Sequence, residues 1–374
     1  MKLYLGVDLH KKTCWITAMN GAGQILESRR LSTERNDLLS YFGRVEKPAA
    51  IAVEATFNGY YFLDLIEPLG LELHRVHPWK TRAIATARIK HDKLDSRILA
   101  ELLRTGFLAE AWIAPREVRQ PRQLLRYRAQ TGRCATRAKN AVHGIVNRNG
   151  VSSPVESLFG PKGRAFLKEV VLPELDRWEV GGQLARLDLL EQPIRELDRE
   201  VRQRVKADPG ALALEMIPGI GPFIALLRVA EIGDLKRFPT AKHLARSTGL
   251  VPSLYASAEH RGGGPITQQG SSLLRWALVQ AAHPAARSPR FANFYQRQPE
   301  RHGTGKAVVA LARKRAVLSD YRWRAVKAQA LSKVNRVREC TWGGAWSEHR
   351  PFMSDEDTPG CEPAIGSEKD RIGE

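Results

Sequence analysis

The spacing of apolar residues over the first hundred positions changes repeatedly, and each change marks an element. Leu3–Asp8, Thr13–Met19 and Gln24–Leu31 read as three short strands, the last two joined by the turn Asn20-Gly21-Ala22-Gly23. Leu38, Leu39 and Phe42 then fall at helical spacing. Ala49–Val53 is a continuous apolar run ending at Glu54, as expected of a strand covered on both faces. A helix over Tyr60–Leu69, a strand over Leu71–Val76 and a helix from about Asp92 to Arg104 complete this segment.

Three antiparallel strands followed by alternating helix and strand is the order of elements in an RNase H-like α/β fold, here placed at residues 1–112. Residues 113–208 read as elongated helices. Leu187, Leu190, Ile194, Leu197 and Val201 alternate three and four apart, as in a coiled-coil seam that Pro193 starts or kinks. Residues 209–300 form a second compact, mostly helical unit. Residues 301–374 are basic to about 338, then rich in Gly, Pro and acid, and Ser354–Gly360 reads as part of a disordered tail.

Charge narrows the choice of partner. There are 59 Lys plus Arg against 40 Asp plus Glu, a formal charge of +19, which is more than solubility needs. A surplus of this size points to a polyanion, nucleic acid ahead of an anionic membrane surface. Between Arg122 and Arg148 lie Arg126, Arg128, Arg133, Arg137 and Lys139 with no acid, so these cations are candidates for phosphate contacts rather than a merely solvated helix face. Cys14, Cys134, Cys340 and Cys361 are scattered and support neither a disulfide framework nor a zinc site. An acid at position 8 interrupts any leader-like apolar run, and no later run spans a bilayer, so a cytoplasmic, nucleoid-associated location with reduced thiols is expected.

Four acids carry the chemistry. Asp8 and Glu54 end strands, and Asp92 and Asp95 lie three apart at a helix start, on one face. Acids converging in this way repel one another, and a pair of divalent cations would relieve the repulsion while activating an attacking oxygen and stabilising a leaving one. Taken singly, each has an ordinary reading: Asp8 as a turn former, Asp92 as an N-cap with Asp95 as its capping-box acid.

In the second unit, Met216-Ile217-Pro218-Gly219-Ile220-Gly221-Pro222 reads either as a helix-hairpin-helix element or as a Gly-Pro turn between packed helices. In the first reading, Gly219 and Gly221 let backbone N–H groups approach a phosphate. Further on, Ser253 and Ser257 precede His260-Arg261-Gly262-Gly263-Gly264, and Arg275 follows. A loop serine beside Arg261 and a glycine run could be a nucleophile among phosphate-binding groups.

Gly6-Val7-Asp8-Leu9-His10-Lys11, Val53-Glu54-Ala55-Thr56 and Lys90-His91-Asp92-Lys93-Leu94-Asp95 resemble the DEDD signature of a bacterial insertion-sequence transposase family, the one-ten/eleven-eleven family. The block Gly249–Leu278 resembles the same family's C-terminal domain, so the likeness runs from about residue 3 to 290. Ser96, Ala258 and Gln268 stand where the family usually has alanine, glycine and lysine. The resemblance implies a RuvC-like N-terminal domain whose Asp8, Glu54, Asp92 and Asp95 bind Mg²⁺ or Mn²⁺. It implies a nucleophile at Ser257, with Ser253 as the fallback, that attacks donor and target DNA. It also implies a structured guide (bridge) RNA and a homodimer or homotetramer in which one subunit's carboxylates meet another's serine. Two other readings stay open: a metal-dependent nuclease or junction resolvase without covalent serine chemistry, and an inactive nucleic-acid-binding derivative.

Overall fold

A computed structural model describes residues 1–77, 80–81, 91–256, 261–297 and 303–342. It divides into two compact units, one of Met1–Asp198 with Ala230–Gly233, the other of Arg199–Val229 with the chain from Asp234 onward. No compact-unit boundary falls near residue 112; the first long helix belongs to the same unit as the sheet.

The first unit is built on a five-stranded sheet of β1 (Leu3–Leu9), β2 (Thr13–Met19), β3 (Ile25–Ser32), β4 (Ala49–Glu54) and β5 (Glu72–Val76). The order is β3-β2-β1-β4-β5. β1 pairs antiparallel with β2 and parallel with β4, and β4 pairs parallel with β5. This is the RNase H-like arrangement expected from the element order. The faces differ in residue size. Leu5, Val7, Leu9, Ile51 and Val53 pack against α1 (Arg35–Phe42) and α2 (Gly59–Ile66) through Leu38, Phe42, Phe62 and Ile66. On the other face Ala50, Ala52 and Val76 meet Leu99 and Leu103 of α3 (Asp92–Thr105).

Small residues on that second face let α3 come close. A Cβ on Gly6 would stand 2.0 Å from the Ser96 carbonyl oxygen and 2.5 Å from the Ala100 nitrogen, so helix backbone lies directly on strand backbone. Ser96 is fully buried, and its hydroxyl meets Thr17 Oγ1 at 2.8 Å. The serine therefore ties α3 to β2 by a bond that alanine could not make.

Beyond the sheet, α4 (Arg116–Arg148), α5 (Pro161–Glu169) and the start of α6 (Glu174–Ala207) enclose a small core of Val142, Ile145, Val146, Leu158, Leu167 and Val180. α6 continues through Pro193. Of the expected seam, Leu187 and Val201 are buried and Leu190, Ile194 and Leu197 half-buried, whereas Leu175, Trp178 and Leu189 are more than 70% exposed. The apolar stripe left open on α6 is thus a different one from the stripe that the seam spacing suggests.

The second unit contains α7 (Pro209–Glu215), α8 (Pro222–Ile232, except its last three residues), α9 (Ala241–Ser247), the hairpin β6 (Pro252–Ala256) and β7 (Arg261–Ile266), α10 (Ser272–Ala286), α11 (Pro289–Gln296) and α12 (Thr304–Trp342). α12 corrects the expectation of a tail beginning at 301. Its Ala307, Val308, Leu311, Ala312, Ala316 and Trp323 are buried, and it packs against α7, α9, α10 and α11. Of its basic residues, Lys306, Arg313, Lys314 and Arg322 are exposed, whereas Arg315 is buried. The acid-rich stretch at Ser354–Gly360 lies outside the described residues.

Candidate active site

Strand parity explains how the acids meet. Tyr4, Gly6 and Asp8 alternate onto the α3 face of β1, and Ala50, Ala52 and Glu54 onto the same face of the adjacent parallel strand. Val7 pairs with Val53, so Asp8 and Glu54 finish neighbouring strands at the same edge. The close approach at Gly6 sets the N-terminus of α3 over that edge and carries Asp92 and Asp95 with it.

The N-cap of α3 is His91, whose Nδ1 accepts from the Leu94 N–H at 3.1 Å. Asp92 and Asp95 are therefore first-turn residues, and the capping-box reading of this pair is not what the fold adopts. Both are stabilised there by the positive end of the helix.

Asp8 is only 7% exposed. Burial raises its pKa above the ordinary carboxylate value, His10 pulls it back, and Asp92 and Asp95 push it up again. The expected mutual repulsion is present, but desolvation is the larger cause. His10 was missed as a site residue. Its Nε2 lies 3.1 Å from Asp8 Oδ2 and 3.4 Å from Asp92 Oδ1. Asp8, His10 and Asp92 each offer a ligand atom within 4.8 Å of the others. The two-residue spacing from Asp8 was the available signal. Asn58 Nδ2 donates to the His10 carbonyl at 2.9 Å, so the loop after β4 steadies the loop after β1. Glu54 is half-buried and stands outside the three-residue group.

The donors fit a hard cation: at least two carboxylates converge, one of them desolvated, with an imidazole spanning the gap.

The basic row on α4 is arranged differently from what its sequence suggests. Arg122 Nε and Nη2 donate to the carbonyls of Ala230 and Glu231 at 2.7 and 2.8 Å. Arg126 pairs with Glu231 at 3.1 Å, and Arg128 grips Asp198 with two bonds at 2.7 and 2.9 Å. Arg148 pairs with Asp176 and Glu179. These guanidinium groups meet acceptors within the chain, whereas Arg133, Arg137 and Lys139 are exposed.

In the second unit Gly219 has φ +81° in a Pro-Gly turn closed by Ile220 N–H donating to the Ile217 carbonyl at 2.9 Å. A Cβ there would stand 2.9 Å from the Ala281 carbonyl oxygen, whereas one on Gly221 would meet open space. The turn joins α7 to α8, and Gly219 serves its packing. Arg275 Nη1 donates to the Gln269 carbonyl at 3.1 Å, holding the loop before α10. Ser253 Oγ donates to the Pro265 carbonyl at 2.9 Å. Gln268, which stands in place of the family's usual lysine, has φ +52°. Ser257 and Ala258 lie outside the described residues, as does the side chain of Arg261.

A sheet of this order, with acids at the ends of its parallel strands and on the facing helix, is what a DEDD transposase domain requires, and family profiles identify it as one. Residues 5–149 match the profile of the DEDD transposase domain, and residues 211–296 that of the transposase IS116/IS110/IS902 family; together they cover more than half of the chain. The chain belongs to the IS110/IS1111 family of transposases, which are enzymes acting on DNA. It is 27% identical to the transposase for insertion sequence element IS1328 of Yersinia enterocolitica, over 83% of this chain and 94% of that protein. It is 23% identical to the transposase for IS1111A of Coxiella burnetii, over 83% and 87%. Over 34% of its length it is 32% identical to the pilin gene-inverting protein of Moraxella bovis, covering 42% of that protein. No described helix is long and apolar enough to cross a membrane.

Proposed function

We propose that the chain cleaves and rejoins DNA strands with a composite site in which Asp8, Glu54, Asp92 and Asp95 hold Mg²⁺ or Mn²⁺ and Ser257 is the nucleophile. The observation that carries this reading is the meeting of Asp8 and Asp92 at one sheet edge, in a chain that matches both halves of the transposase family. A bound divalent cation would neutralise the carboxylates and polarise a phosphate oxygen. Asp8 and Asp92 supply hard oxygen donors, and His10 spans them. Ser257 Oγ forms a bond to phosphorus as the strand's P–O bond breaks, its proton passing to solvent or a nearby base and the released strand keeping the hydroxyl. The phosphoserine link conserves the bond for rejoining to a second strand.

A structured guide RNA pairing with donor and target DNA is part of this proposal, as is a homodimer or homotetramer in which the serine of one copy serves the carboxylates of another. Exposed Leu175, Trp178 and Leu189 on α6 supply an apolar stripe suited to self-association. Arg133, Arg137 and Lys139 supply cations for nucleic acid, and a helix-hairpin-helix role for Gly219 and Gly221 belongs to the same reading.

The test is a suicide DNA substrate carrying a nick near the cleaved bond. A covalent adduct mapping to Ser257 and absent from Ser257→Ala is the expected result. Cleavage that persists in Ser257→Ala without adduct would instead make the chain a metal-dependent nuclease.

A further inference from the structure

The second unit contains two buried arginines on or against α12, and they are treated unequally. Arg228 is fully buried, but its Nη2 donates to the Ala316 carbonyl at 2.6 Å, its Nη1 to Ser319, and Asp320 offsets its charge. Burial lowers its pKa to about 10, so it stays protonated at neutral pH. Arg315, 2% exposed, has less. Its Nη2 donates to the Pro218 carbonyl, while Nε and Nη1 have no hydrogen-bond partner. Burial lowers its pKa as well, with no carboxylate opposing the shift. A buried guanidinium with two idle donors is costly unless something accepts from it.

Arg315 lines a cavity of about 580 Å³, a volume suited to a small organic ligand. The walls are apolar, with Pro218, Pro289, Phe291 and Leu318 among them, and among the described residues no carboxylate lines it. Tyr321, 62% exposed, and the exposed Arg322 also line it. Arg322 Nη2 approaches the Met216 sulfur at 3.5 Å. The lining thus combines two cations, no anion and an aromatic ring beside apolar surface. Phosphate matches the cations, since a guanidinium recognises it through parallel donors. A planar base matches the ring and the apolar wall.

We propose that this cavity takes one nucleotide of a single nucleic-acid strand, with the exposed Arg322 on its phosphodiester, the buried Arg315 adding positive charge from the wall behind, and Tyr321 stacked on its base. The site is separate from the carboxylate cluster and would hold a strand without cutting it. The inference rests on the nucleic-acid reading of the chain, but binding can be measured with no strand transfer taking place.

The experiment uses the full chain, fluorescein-labelled twelve-residue oligothymidylate and oligouridylate, and inorganic phosphate as the small-anion probe. Arg322→Ala, at an exposed position, should weaken binding of both oligonucleotides about tenfold at unchanged Tm, the loss of one charge-assisted contact. Arg315→Met should lose affinity as well while keeping the wild-type Tm, because it removes a buried charge that rests only on the Pro218 carbonyl and the Phe291 ring and that no carboxylate balances. A 5-iodouracil oligonucleotide should crosslink to Tyr321 on irradiation. Binding is read in EDTA, where no strand transfer takes place, so a failure of the strand-transfer reading leaves this result standing. Wild-type affinity in Arg322→Ala, or crosslinks mapping only elsewhere, overturns the proposal. So does an Arg315→Met that loses stability but not affinity, which would make Arg315 a turn support. Stabilisation by inorganic phosphate that neither oligonucleotide displaces also overturns it, in favour of a free-phosphate site.

Discussion

The sheet edge at Asp8 gathers like charges, whereas α4 shares its cations among acceptors delivered from elsewhere in the chain. There, burial raises the proton affinity of Asp8, the charges of Asp92 and Asp95 add to the rise, and a single imidazole spans Asp8 and Asp92. On α4, Arg122, Arg126, Arg128 and Arg148 each meet a carboxylate or carbonyl from a later helix. Both regions look like unbalanced charge in the sequence. The acids stay unbalanced in the fold because their neighbours are acids. The arginines are balanced because Asp198 and Glu231 arrive from 70 and 105 residues away. Unpaired charge inside a fold marks chemistry better than a run of charge along a chain.

The sharpest way to break this comparison is at Asp8. Asp8→Asn should reduce DNA strand cleavage by about a thousandfold or more, since a cation ligand contributes several kcal/mol to the transition state. Gly6→Ala should follow in size, destabilising the fold by about 3 kcal/mol, because the added methyl overlaps α3 backbone that cannot yield. Chemical denaturation of the two variants separates them: loss of activity at full stability for the first, loss of stability for the second.

Without metal, Asp8→Asn should raise Tm. Burial raises the Asp8 pKa, so the folded chain keeps its proton to higher pH than the unfolded chain does. Asp8 therefore costs stability once pH passes the unfolded value of 3.8, and the full cost is present above the raised folded value. Wild type should gain Tm on adding Mg²⁺ and the variant should gain less; equal gains would remove Asp8 from the metal site.

The basic helix is tested by smaller effects. Arg128→Ala should cost about 1 kcal/mol by breaking its two-pronged bond to Asp198. Arg133→Ala and Arg137→Ala should leave stability alone and lower the salt slope of nucleic-acid binding by about one each. If Arg128→Ala instead lowers that slope at unchanged stability, the division between spent and available arginines is wrong.

Much of the first unit was legible because its signals are local. The short apolar run at Ala49–Val53 reads as a strand covered on both faces, and the period of two puts Asp8 and Glu54 on one face once the strands pair. The helix at Asp92 was legible for the same reason, although its cap proved to be His91. The stretch from 304 to 342 was not, because its apolar positions are interleaved with basic residues and read as weak pattern until α7, α9, α10 and α11 supply a surface for them. His10 was visible only as a neighbour of Asp8; its reach to Asp92 depends on where α3 lies.

The sequence alone determined the strands and helices of the first unit, the order of the four acids and the excess of positive charge, since each depends on residues close together in the chain. The tertiary structure decided which charges remain unpaired. It brought α3 onto Gly6 and so joined Asp92 to Asp8, and it gave Arg122, Arg126 and Arg128 acceptors from later helices. It also left Arg315 buried with two unused donors. Coulomb energy and desolvation depend on distance and burial in space, and neither can be read from separation along a chain.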